Sequence, residues 1–259
     1  MTPSPLSARS IGLVALGLAA GLAVLLPQLR PVLPVDETRY LSVAWEMQRD
    51  GTFIVPHLNG EIYAHKPPLL FWLINLVWSV IGVGEVAARL VAPAFGVLAV
   101  ALTWRVGARL FPDRPTLGPT AALILASTGV FALYGSLTMF DTMLASAVLL
   151  GVLALLRMDA DEGWLATLGL GAALAFGVLA KGPVILVHLL PLALARPLWS
   201  LADGPGRAGA WYGRVAVAIA MALGLLALWL IPALWLGGAD YRAEVLWRQS
   251  AGRLVNAFD

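Results

Sequence analysis

Seven apolar runs, most of them close to the length that crosses a bilayer, constrain this chain more than any motif in it. They are Ile11–Leu29, Val86–Val106, Leu117–Leu137, Thr142–Leu156, Trp164–Ala180, Val184–Trp199 and Val215–Leu236. A membrane-spanning helix takes about twenty predominantly apolar residues. Charged residues make up only 12% of the chain, and apolar ones 60%; a soluble domain carries about a quarter charged. Ten Trp and 26 Gly fit the same class, because aromatics settle at membrane interfaces and small residues let helices approach. The expected fold class is therefore all-α and polytopic, one transmembrane bundle over residues 1–259. The first run, preceded by Arg9, reads as a signal anchor. It is long for a cleaved signal, and no small-x-small site follows it before Asp36. No basic face with interleaved aromatics is present, so nucleic acid is not an expected partner. The absence of cysteine excludes disulfides, thiolate metal sites and thiol catalysis.

The longest polar stretch, Val35 to Leu70, lies between the first and second runs. Its apolar and aromatic content (Tyr40, Leu41, Trp45, Phe53, Ile54, Tyr63) argues for an ordered loop at the membrane surface. Within it, Glu37 to Arg49 has the spacing of a short amphipathic helix on the interface. Phe53 to Leu58 reads as extended and Asn59-Gly60 as a tight turn. Pro67-Pro68 open a juxtamembrane helix. At the other end of the chain, Tyr241 to Leu254 is a second amphipathic piece, expected as an outer tail.

The segment Leu69–Val83 decides the topology. It is short, follows two prolines and carries Asn75 and two Trp, features of an interfacial segment more than of a span. If it does not cross, Arg105, Arg109, Arg114, Arg157, Arg196, Arg207 and Arg214 all fall in loops on one side. That is the positive-inside pattern, and it makes the N-terminus cytoplasmic. Asp36, Glu37, Arg39, Lys66, Asp141, Lys181 and the tail Asp240–Asp259 then share the outer side. If it crosses, Asp36 and Asp141 are a membrane thickness apart. The non-crossing arrangement is the expected one.

Charges at a membrane edge cost several kcal/mol unless they have a partner or a task. Taken singly, each has an ordinary explanation. Asp141 can cap the following helix, Asp36-Glu37 can be an acidic first turn, and Lys66 and Lys181 can be snorkelling lysines. Taken together, carboxylates and lysines on one side form a mixed site. Carboxylates deprotonate or orient a hydroxyl, and cations stabilise a phosphate leaving group. No nucleotide-binding glycine loop, HExxH or GxSxG elbow occurs. Outside the cytoplasm, the phosphate is more plausibly carried on a lipid than on a nucleotide.

The sequence resembles the lipid-linked-sugar glycosyltransferases of the GT-C class, in particular the bacterial branch holding the lipid A aminoarabinose transferase and the protein O-mannosyltransferase relatives. The matching pieces are DETRY at Asp36–Tyr40, KPPLLFWL at Lys66–Leu73, EVAARL at Glu85–Leu90, RLFPD at Arg109–Asp113, MFDTML at Met139–Leu144 and AKGPV at Ala180–Val184. The resemblance implies a GT-C-like bundle with juxtamembrane helices in the first outer loop. It also implies inverting transfer of a monosaccharide from a polyprenyl-phosphate donor to an acceptor hydroxyl at the outer face of a bacterial inner membrane. The acceptor would be lipid A, another glycolipid or a protein. By the same resemblance Asp36 is the base, Asp141 a second catalytic acid and Glu37 a third carboxylate ranked below Asp36. Arg39, Tyr40, Lys66 and Lys181 would surround the lipid phosphate. In the aminoarabinose transferase the residue before this lysine is commonly acidic and near a metal, whereas here it is His65. No metal and no other cofactor is expected. Family members continue into an outer C-terminal domain, and this chain is expected to hold only the N-terminal part. A transporter is the first rival, but it would place polar residues at mid-span, where Thr120–Ser136, Leu144–Leu155 and Leu165–Leu179 hold only Ser and Thr. A non-catalytic scaffold that binds a lipid phosphate is the second.

Overall fold

The computed structural model describes residues 7–200 and 207–245. It is helical apart from one small hairpin, in the order α1 (Ala8–Gln28), α2 (Asp36–Asp50), β1 (His57–Leu58), β2 (Glu61–Ile62), α3 (Leu69–Ile81), α4 (Glu85–Leu110), α5 (Leu117–Ser127), α6 (Gly129–Gly135), α7 (Asp141–Asp159), α8 (Trp164–Lys181), α9 (Val184–Leu194), α10 (Arg196–Trp199), α11 (Arg207–Leu236) and α12 (Gly238–Ala243). Five of these, α1, α4, α7, α8 and α11, are long and apolar enough to cross a membrane. The protein is a multi-pass membrane protein of helical spans.

Two runs differ from the sequence expectation. Leu117–Leu137 is not one straight helix: α5 and α6 meet at a 70° bend. The hydroxyls of Ser127 and Thr128 both donate back to the Ile124 carbonyl, and Thr128 is extended. Side chains thus satisfy the carbonyl that a continuing helix would use. Val184–Trp199 splits into α9, only 11 residues long, and the short α10. Of Phe53–Leu58, only His57–Leu58 forms a strand. It pairs antiparallel with Glu61–Ile62 across Asn59 and Gly60, both at positive φ. Most of the amphipathic piece expected over Tyr241–Leu254 lies outside the described residues.

Hydrogen bonds at the helix ends sort the bundle into two poles. At one, Arg30 beyond α1 bonds Glu37 of α2 and the Ser136 carbonyl after α6. There too Arg89, in the second turn of α4, bonds the Arg30 carbonyl. At the other pole, Arg109 of α4 and Arg157 of α7 bond Glu162, Arg196 bonds Asp159, and Arg214 bonds Asp161. α3 spans about 20 Å for its 13 residues, against about 30 Å of hydrocarbon. It starts just after Lys66 and ends just before Glu85, the partner of Arg89. It therefore returns to the pole it left.

Packing follows small residues. A Cβ on Gly107 would sit 2.7 Å from the Gly118 Cα, so α4 and α5 cross backbone to backbone. A cluster of Ala15, Ala19, Val100, Ala122 and Ala126 fills the contact of α1, α4 and α5. One of the two largest clusters lies at the first pole, where Tyr40, Val43, Ala44 and Met47 of α2 meet Leu70, Phe71, Ile74 and Trp78 of α3. The i, i+3, i+4, i+7 spacing on α2 puts one face of the helix on the core.

Candidate active site

α2 begins under constraint. Val35, its N-cap, holds φ at 74°, a left-handed value that a β-branched residue rarely adopts. Two residues on is Glu37, whose side chain is 1% exposed. Its Oε2 accepts from the Leu33 amide at 3.0 Å and from Arg30 Nη1. Its Oε1 accepts from Arg30 Nη2 at 2.9 Å and from the Thr138 amide at 2.7 Å. Burial alone would raise this carboxyl. The Arg30 guanidinium and the two amides outweigh that and bring it from 4.5 to about 2. The carboxylate expected as a third catalytic acid is thus buried, ionised and fully engaged. It braces α2 against the loop that leads to Asp141.

Asp36, its sequence neighbour, is half-buried and accepts from the Tyr40 hydroxyl at 3.1 Å. Burial, with the charge of Asp36 beside it, pushes the Tyr40 phenol well above its ordinary value, so it remains a donor. The Tyr40 ring meets Phe140 edge-on at 4.8 Å, and Phe71 meets Phe140 at 5.8 Å. On Phe140 also rests Lys66, its Nζ 5.8 Å from the ring centroid. Asp141 follows Phe140 directly and pairs with Lys181 Nζ at 2.5 Å, the two side chains 48% and 30% exposed. Phe140 is therefore the hub: Asp36 and Tyr40 lie to one side, Lys66 to another, and the Asp141–Lys181 pair beside it. Arg39 is half-buried and bears on Tyr40 through its charge.

Lys66 and Lys181 also share a cavity of about 220 Å³. Its other polar side chains are His65 and Tyr241, and Val178, Leu226, Trp229 and Leu230 give it an apolar lining. Burial pushes the Tyr241 phenol up to about 12, which keeps it protonated. Trp229 is fixed by donating to the Ile54 carbonyl at 3.0 Å and by an edge-on contact with Trp72 at 6.3 Å. Two lysines in a largely apolar lining suit an anion carried on a hydrocarbon chain. Among the described residues no group of three or more His, Asp or Glu side chains gathers to hold a metal ion.

Several participants escape a reading of the sequence. Arg30 and Arg89 look like ordinary helix-end cations, yet both build the frame around Glu37. Glu46, 5% exposed, receives the Asn59 and Gly60 amides at 2.5 and 3.1 Å. Its signal was available, since position 46 falls beside Val43 and Met47 on the apolar face of α2. The wall from α11 had none, being one apolar run among many.

A family model described as dolichyl-phosphate-mannose-protein mannosyltransferase matches residues 65–235. An undecaprenyl phosphate-alpha-4-amino-4-deoxy-L-arabinose arabinosyl transferase of Pseudomonas fluorescens is 33% identical over 214 residues, 80% of this chain and 36% of that protein. Its namesake in Pseudomonas aeruginosa is 31% identical over 224 residues, 85% of this chain and 40% of that one. This chain thus spans well under half the length of the curated relatives it matches. Among solved structures, ArnT from Cupriavidus metallidurans bound to undecaprenyl phosphate superposes with a TM-score of 0.72 at 20% identity. That match covers 92% of this chain and 44% of the other, and the fold is what it shows.

Proposed function

This chain belongs to the dolichyl-phosphate-mannose-protein mannosyltransferase family, and from that membership and its cavity we propose that it transfers a monosaccharide from a polyprenyl-phosphate donor to an acceptor hydroxyl with inversion. The observation that carries the reading is the shared cavity, in which two lysines meet an apolar lining from α8 and α11. A phosphate between Lys66 and Lys181 gains charge-assisted hydrogen bonds, and the first isoprene units lie against Leu226, Trp229 and Leu230. The acceptor oxygen attacks the anomeric carbon as the carbon–oxygen bond to phosphate breaks. The bonding pair leaves with the phosphate, and the lysines stabilise its growing charge. Asp36 takes the hydroxyl proton, with Tyr40 orienting its carboxylate. Asp141 holds Lys181 and helps position the sugar. Glu37 in this reading is a brace and takes no proton. The names of the relatives make an undecaprenyl-phosphate-linked 4-amino-4-deoxy-arabinose the first donor to test, against lipid A, another glycolipid or protein hydroxyls.

The arginine-rich pole is on this reading cytoplasmic and the Asp36 pole outside, in a bacterial inner membrane, with α3 lying along the outer surface. An impermeant thiol reagent applied to intact cells is expected to label Ser42→Cys and to miss Thr116→Cys, both exposed positions in a chain without native cysteine. Labelling of Thr116→Cys alone would invert the orientation. For the chemistry, Asp36→Asn is expected to lower transfer of labelled sugar by about 10²- to 10⁴-fold while undecaprenyl phosphate still binds. Equal transfer by both proteins would remove Asp36 from the mechanism. Lipid binding without transfer by the unaltered protein would leave a lipid-phosphate-binding scaffold.

A further inference from the structure

α2 carries two buried carboxylates, and the second has no place in the chemistry above. Glu46 lies nine positions after Glu37 and points at a different loop. It clamps the tip of the β1–β2 hairpin, where Asn59 and Gly60 hold φ at 55° and 82° and turn their amides toward it. The clamp has a rigid base, since Asn75 of α3 donates to the Ala44 carbonyl of α2 at 3.0 Å. It also has a rigid output. The ladder of the hairpin continues through the Tyr63 amide to the Pro56 carbonyl at 2.8 Å. Tyr63 is buried, packs edge-on against Phe71 at 6.1 Å and stacks on His65 at 5.4 Å. Ala64 is buried as well, so the chain from the hairpin to Lys66 has little freedom.

We propose that Glu46 is a positioning residue that sets Lys66 in the cavity, acting through the hairpin on the grip of that lysine on the lipid phosphate. With Glu37 fixing the loop before Asp141, α2 then spaces the acid and the cation across Phe140 by two carboxylate clamps, one at each end. A carboxylate accepting two amides in a buried site is a strong local tie, and its loss leaves two donors unpaired. The consequence for Lys66 is displacement, whereas Lys181, carried by α8, keeps its place.

This inference rests on the lipid-phosphate reading, and a double-mutant cycle on the whole protein separates the two. The probe is undecaprenyl phosphate, its Kd measured for Glu46→Ala, Lys66→Ala, Lys181→Ala and the two doubles containing Glu46→Ala. Glu46→Ala is expected to weaken binding about tenfold. Combined with Lys66→Ala it should add almost nothing, and combined with Lys181→Ala the losses should multiply to within about twofold. A clamp that only stabilises the fold would weaken binding equally on both backgrounds, and that result overturns the proposal. Gly60→Ala, strained by its backbone alone with open space at its Cβ, tests the same tie if Glu46→Ala does not fold, and the same pattern is expected of it. No binding by the unaltered protein would remove the lipid-phosphate reading and this inference with it. Binding with multiplicative losses throughout would remove the role of Glu46 alone.

Discussion

The two poles of this bundle are built from the same residue types and use them in opposite ways. At the arginine-rich pole, three acids at the end of α7 and just after it, Asp159, Asp161 and Glu162, serve arginines from four different helices. All but the Arg157–Glu162 pair tie one helix end to another. At the Asp36 pole the ties are made by buried carboxylates on backbone amides, Glu37 on Leu33 and Thr138 and Glu46 on the hairpin. That leaves Asp36 half-buried, and the Asp141–Lys181 pair, which also joins the start of α7 to the end of α8, partly open to solvent. Exposure does not separate the two poles, because Arg157–Glu162 is about as exposed as Asp141–Lys181. What separates them is the neighbourhood. One ion pair borders a cavity lined by two lysines and apolar side chains, and the other borders a loop.

The strongest way to break this comparison is to remove a tie. Glu37→Gln is expected to destabilise the protein by about 3–5 kcal/mol, since it strands the Arg30 guanidinium beside a neutral partner. Thermal unfolding in detergent measures it, and a loss below about 1 kcal/mol would mean that the pair is dispensable. The pH dependence has a definite sign. The carboxyl of Glu37 is held at about 2 in the fold against an ordinary 4.5. The stability it contributes is therefore complete above about 4.5 and falls away as pH drops through 2. Glu37→Gln should flatten that acid limb. A smaller effect sharpens the contrast between the two exposed pairs. Lys181→Ala should raise the Kd for undecaprenyl phosphate by about 10- to 100-fold. Arg157→Ala should leave it unchanged and cost less than about 1 kcal/mol of stability. Equal effects of the two substitutions would erase the distinction between the poles.

Much of this architecture is legible in the chain. The apolar runs locate the long helices, and Asp36–Asp50 forms a helix where amphipathic spacing asks for one. Pro67-Pro68 precede α3, and Asn59-Gly60 turn the hairpin. The bend after Ser127 was not legible, because Leu117–Leu137 is apolar throughout and the break depends on two hydroxyls turning back on one carbonyl. In the site, Asp36, Lys66, Asp141 and Lys181 stand out as charges at the edges of apolar runs. Phe140 does not, because an aromatic in an apolar sequence carries no signal until Tyr40, Phe71 and Lys66 are seen around it.

Hydrophobic length and the placement of charge are local properties, and by themselves they determined that this chain is a bundle of membrane helices with Asp36, Lys66, Asp141 and Lys181 at the edges of its apolar runs. Asp36 and Glu37 show what they could not determine. The two are consecutive acids, and their side chains leave the helix about 100° apart. Which of them is buried as a brace and which stays half-open depends on where the 136–138 loop and Arg30 meet α2. Only the packing of helices distant in sequence decided that, since burial and an opposing guanidinium are what turn one carboxylate into structure and leave its neighbour partly exposed.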